Sequence, residues 1–239
     1  MRRFVKTAVV LVVVLLVLAV LDQVGRVVAE RQVAERIQTS QGLSSRPSVS
    51  LSGWPFSSQA IRGRYAGGTL VARGITKGKL HIDRLSIKLD DVHEPLGRLV
   101  HRDLSTATAQ TVTATAHLAF ADLASASGVD GLELSGNSGR LGVTRAVTLF
   151  GQSADLTATA RLVVLGGKLS AENVIAKAGP VTIPQSIAEA AVTEALTELE
   201  PGALPYGLRL STVRVTSTGV DLTAQAHGVD LLQSTGTTG

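Results

Sequence analysis

Cysteine is absent from all 239 residues. The chain therefore has no disulfide framework, no zinc–thiolate site, no thiol nucleophile and no redox dithiol. Aromatic residues are nearly as scarce: one Trp, two Tyr and four Phe make up 3% of the sequence. A nucleic-acid surface needs stacking aromatics as well as positive charge. Nucleic acid is thus excluded as a partner, despite 23 Lys and Arg against 19 Asp and Glu. The short signatures of P-loops, dinucleotide-binding turns, serine-hydrolase elbows and zinc peptidases are missing as well. No catalytic residue, cofactor or metal ligand is assigned. A Ser/His/Asp set assembled from distant positions stays open, because a triad is a geometry and not a sequence pattern. His93 and His101 lie among Asp91, Glu94 and Asp103, but their spacing matches no familiar metal site and they read as solvated loop histidines.

What the chain does have is apolar residues, 44% of the total, concentrated at the N-terminus. Arg2, Arg3 and Lys6 precede an unbroken apolar run from Ala8 to Leu21, which Asp22 ends. As a helix this run spans about 21 Å, short of the roughly 30 Å hydrocarbon core, although counting from Phe4 with Lys6 snorkelling brings it closer. Length fits a cleaved signal peptide or an anchor. Ala19-Val20-Leu21 puts a large residue beside the cut, which favours an anchor. The cations hold the N-terminus in the cytoplasm, so the chain is expected on the extracytoplasmic face of the membrane, in the cell envelope. The expected division is a signal or anchor over 1–21, an α+β domain over 22–232 and a disordered tail over 233–239.

From Asp22 to Gln38 the composition is helical, with Val24, Val27, Val28 and Ala34 gathered on one side. This predicts a helix that continues the membrane segment and docks one face on the domain. Ser40 to Gly53 is rich in Ser, Gly and Pro, and Gly53-Trp54-Pro55-Phe56 reads as a turn with an apolar tip. Strands are expected over 69–75, 79–92, 105–120, 141–150, 156–165, 168–175, 208–216 and 220–226. A change of parity between Ile82 and Leu85 predicts a bulge at Asp83-Arg84. A second helix is predicted over 183–200, with Thr182 and Gln185 at capping-box spacing and a stripe of Ile187, Ala191, Val192, Ala195 and Leu199. The fold class is α+β: a long, curved antiparallel sheet wrapped around one or two helices.

Two sets of residues stand out as a binding site. Along 105–120, Val112, Ala114, Ala116, Leu118 and Phe120 share one parity, opposite Thr111, Thr113, Thr115 and His117. With Leu156 and Ala158 they offer a face of small apolar side chains, either lining an acyl-chain groove with Trp54 and Phe56 or allowing a helix to pack closely. Secondly, no acid occurs between Ile37 and Ile82, whereas Arg62, Arg64, Arg73, Lys77 and Lys79 do. Beside a membrane, such cations attract anionic headgroups at about 1 kcal/mol each. Their alternative is an ordinary solvated surface.

The membrane segment, Asp22, Arg26, Ala29 and Glu30 on the helix after it, the run Gly53-Trp54-Pro55-Phe56-Ser57-Ser58-Gln59 with Gly63 and Tyr65, and Leu204-Pro205-Tyr206-Gly207-Leu208 with Gly219-Val220 together resemble an actinobacterial family of envelope phospholipid-binding proteins. That family is linked to lipomannan elongation and is similar to the tubular lipid-binding (TULIP) fold. Its turn usually reads Gly-Phe-Pro-Phe-Leu, so Trp54 and Ser57 depart from it. The resemblance implies an exported protein with a phospholipid or glycolipid partner at an anionic membrane surface. Some members are described as phospholipases, but no catalytic residue carries over. A phospholipase and a packed-shut interaction domain are the alternatives to a binding protein. No oligomeric state follows from the sequence.

Overall fold

The N-terminal helix does not end with its apolar run. The computed structural model describes residues 2–77, 80–94, 107–149, 152–186, 188–189, 192 and 204–231. In it α1 runs unbroken over Arg2–Gln41, about 60 Å at 1.5 Å per residue. The predicted continuation past Asp22 is therefore present. Among the described residues, α1 is the one helix long and apolar enough to cross a membrane, and its side chains from Leu11 to Leu18 are all exposed.

Of the predicted stripe on α1, Ala34 is buried and Val27 half-buried, but the other two valines are not. Val24 and Val28 are exposed, whereas Asp22 is 8% and Ala34 4% exposed. Asp22, Arg26, Glu30 and Ala34 recur every four residues, so they form one line along the helix. Apolar periodicity found only Ala34 of this line, because two of its other members are carboxylates that find backbone N–H donors.

Internal contacts divide the chain into two compact units, residues 1–71, 88–112 and 227–239 in one and 72–87 and 113–226 in the other. Six strands form the first sheet, in the order β1 (Ser48–Ser52), β2 (Arg64–Lys77), β3 (Leu80–His93), β4 (Thr108–Ala119), β11 (Gly219–Asp230) and β10 (Arg209–Val215). The predicted loop before Gly53 thus contains a strand. Its serines alternate with Val49 and Leu51, and it pairs antiparallel with residues 67–71 of β2. At Gly67, φ is 137° and a Cβ would run into the Leu89 carbonyl, so only glycine allows β2 and β3 to approach there. Asp83 and Arg84 are exposed in succession and break the alternation of β3.

The second sheet lies within the second unit and is an antiparallel meander of β5 (Glu133–Asn137), β6 (Arg140–Leu149), β7 (Gln152–Leu165), β8 (Lys168–Ala178) and β9 (Val181–Ile183). Ser138-Gly139 and Gly166-Gly167, all at positive φ, supply the two-residue turns that match strand twist. The class is α+β with antiparallel sheets, as expected.

Two predicted elements change. Phe120 is not the end of a strand: it opens α3 (Phe120–Ser127), which Gly128 closes at φ 67°. The sequence Phe-Ala-Asp-Leu has helical rather than alternating spacing of its apolar residues. Of the predicted helix over 183–200, Ile183 instead ends β9 and Pro184 lies in neither helix nor strand, while 185–186, 188–189 and 192 are helical; the other positions lie outside the described residues. Thr182 is paired with Lys177 in the β8–β9 ladder and does not cap that helix. Gln185 instead donates to Glu189 at 2.7 Å.

Candidate functional site

The first candidate is the tip around α2 (Phe56–Arg62), in the first unit. No side chain of its own caps this short helix, and Pro55 occupies the N-cap. Its first two N–H groups are taken by Asp22 of α1, with Phe56 donating at 2.9 Å and Ser57 at 2.6 Å. These bonds, led by Ser57, hold the Asp22 carboxyl below its ordinary range. One turn and two turns further along α1, Arg26 lies 3.2 Å from Glu30, and Glu30 accepts the Leu51 N–H of β1 at 2.8 Å. The two faces of the tip differ. Phe56 is half-buried, its ring 6.2 Å from that of Tyr65, whereas Trp54 is 73% and Ile61 76% exposed. Burial, and then the charge of Glu94, push the Tyr65 hydroxyl up. Arg62 ends this helix and Arg64 opens β2, both exposed, and Arg64 donates to His93 Nε2 at 2.7 Å. Asp91 is 3.8 Å from the other ring nitrogen. His101 and Asp103, the remaining members of that charged cluster, lie outside the described residues, as does Lys79. Arg73 is exposed on β2 in the second unit, where Lys77 closes the strand.

The second candidate is the apolar parity of β4. Val112 and Leu118 are 3% and 4% exposed, while Ala114 and Ala116 are half-buried. Phe120 joins a core of Leu162, Val215 and Val220. On β7, Leu156 is half-buried, and Ala158 packs on Ala160, Val174, Ala176 and Ala188. Ala188 belongs to the helical stretch after β9, so small side chains at this place let a helix approach a sheet.

The third candidate was not anticipated. On the polar parity of β4, His117 Nδ1 is 2.7 Å from Asp221 Oδ1 of β11, and Thr115 Oγ1 is 3.1 Å from Thr223 Oγ1. An ionised carboxylate can only accept, so neutral His117 carries its proton on Nδ1 and presents a lone pair at Nε2. Thr218 Oγ1 lies 3.5 Å from that nitrogen. The β10–β11 turn fixes Thr218, because Thr216 Oγ1 accepts the N–H groups of Thr218 and Gly219. Asp83, Arg84 and Ser86 of β3 complete the lining of an open groove of about 600 Å³. The alternation of Thr and His on β4 was visible, and so was that of Asp221, Thr223 and His227. Only the pairing of strands a hundred residues apart joins them.

The sequence model of LmeA-like phospholipid-binding proteins matches residues 20–225. The chain belongs to this family. No curated protein and no solved structure matches it. The match begins just before Asp22 and ends just past Asp221, so it takes in the Asp22 contacts, the Trp54 tip, the β4 face and the polar groove. It supports phospholipid as the partner.

Proposed function

We propose that this LmeA-like protein is a membrane-tethered phospholipid-binding protein of the cell envelope, acting on the extracytoplasmic face in lipid or lipoglycan handling. The observation that carries this reading is the family match over 20–225, on a chain whose folded part continues directly from an apolar helix. Acyl chains lie along the apolar face of β4, where the side chains of Ala114 and Ala116 are short and half-buried. Arg62 and Arg64, together with Arg73, Lys77 and Lys79, meet anionic phosphate groups. The cations before the apolar run set the orientation. A phospholipid with a photoreactive acyl chain tests the reading: crosslinks on the peptide of Ala114 and Ala116 support it, and crosslinks confined to α1 defeat it.

A second reading, a phospholipase, is favoured by Thr218, His117 and Asp221. Thr218 Oγ1 would attack the ester carbonyl, forming a new C–O bond and passing its proton to His117 Nε2. His117 would return that proton to the leaving alcohol as the ester bond breaks, and water would then release the fatty acid by the same route. Release of fatty acid and lysolipid from added phospholipid, abolished by Thr218→Ala, supports this reading. Intact lipid after prolonged incubation rejects it.

A further inference from the structure

We propose that Asp22 staples α2 to the membrane surface, so that Trp54 and Ile61 sit in the headgroup layer of the leaflet from which α1 emerges. This rests on the reading of α1 as an anchor and adds a second point of membrane contact. The apolar run ends at Leu21, and the next residue takes the N–H groups of Phe56 and Ser57. Trp54 is two residues from Phe56, within about 7 Å along the chain. The polar layer on each side of a bilayer is about 5–8 Å deep. Trp54 is therefore at the level where the membrane surface begins, whichever way it turns.

Three further observations specify a lipid surface as the occupant. Trp54 and Ile61 are three-quarters exposed, while Phe56 between them is packed against Tyr65, so the tip keeps one aromatic inside and presents another. Tryptophan is the residue most at home in the interfacial layer, with its ring among the upper acyl carbons and its N–H among the headgroups. Arg62 and Arg64 stand beside this apolar pair in a stretch without acids from 38 to 81, the charge complement of anionic phospholipid. The Glu30 bond to Leu51 is a second tie between α1 and the strand leading into the tip. The tip is thus held by two carboxylates of the helix that anchors it.

Trp54 is the only tryptophan of the chain, so its fluorescence reports the tip alone. The full chain is reconstituted in nanodiscs of phosphatidylcholine and phosphatidylglycerol carrying bromine either high or low on the acyl chain. Blue-shifted emission, with several-fold stronger quenching by the shallow bromine than by the deep one, is expected. Asp22→Ala should red-shift the emission and weaken shallow quenching, with the helix content unchanged. Solvent-like emission from the wild-type protein overturns the proposal. Blue-shifted emission with no bromine quenching overturns it too, since the tip is then covered by protein, either a second copy or another part of the chain. The wild-type measurement decides by itself if Asp22→Ala does not fold. Phospholipid content of the same sample reports the binding function separately, so a tip in the interface without bound phospholipid would uphold this inference and defeat the other.

Discussion

Asp22 and Ser57 are 35 residues apart in sequence and 2.6 Å apart in space. That bond makes the end of the apolar run and the start of α2 one structural unit. A carboxylate just past an apolar run looks like a mere stop signal. Here it substitutes for the capping side chain that Pro55 cannot provide.

Since N–H donors favour its charged form, Asp22 contributes stability above its ordinary value of 3.8 and loses that contribution as pH falls through its lower, folded value. Wild type should be more stable than Asp22→Asn at neutral pH, and the gap should close only well below pH 4. Amide exchange at Phe56 and Ser57, followed from pH 6 to pH 3, checks this. Exchange should be several-fold faster in the variant at pH 6, and the difference should narrow towards the acidic end.

Reversing Arg62 and Arg64 to Glu should weaken binding of the protein to anionic vesicles and leave neutral vesicles unaffected. The Debye length falls from about 10 Å at 0.1 M to about 3 Å at 1 M salt, so wild-type binding should also weaken with salt. Vesicle flotation at the two ionic strengths measures both effects.

The His117–Asp221 bond fixes a tautomer. Nitrogen NMR should find the proton of neutral His117 on Nδ1, and Asp221→Asn should remove that preference at a cost of about 1 kcal/mol in urea unfolding. A proton on Nε2 in the wild-type protein would exclude His117 as the base for Thr218.

Ala116 and Ala158 should respond differently to enlargement. Ala158→Phe forces a bulky ring between β7 and the following helix and should cost about 1–3 kcal/mol, with bound phospholipid unchanged per folded molecule. Ala116→Phe should remove most of the phospholipid with a smaller loss of stability. Thr115→Phe, on the polar side of the same strand, is the control that should retain lipid. Melting curves and lipid phosphorus on each variant separate the outcomes.

Much of this architecture was legible in local patterning, and its failures share a cause. The apolar run, its helical continuation and the alternation of β4 depend on neighbours within a few residues, so periodicity reveals them. The docked line of buried Asp22 and half-buried Glu30 on α1 was hidden because burial there is stabilised by hydrogen bonds from β1 and α2, which no hydrophobic period records. Ser48–Ser52 reads as a loop by composition and becomes a strand only because β2 supplies a partner. Phe120 continued an alternation by parity alone, and the spacing of Leu123 after it was the overlooked sign of a helix. The polar groove required β4 to meet β11, a pairing that no local rule specifies.

The central claim, that the chain holds phospholipid, is tested most directly by native mass spectrometry of the full chain purified from cells and released from its micelle in the gas phase. The account predicts a protein carrying intact phospholipid, with most of that mass lost in Ala116→Phe and kept in Thr115→Phe. A protein free of lipid in every preparation, or one whose bound lipid is indifferent to both substitutions, would contradict it.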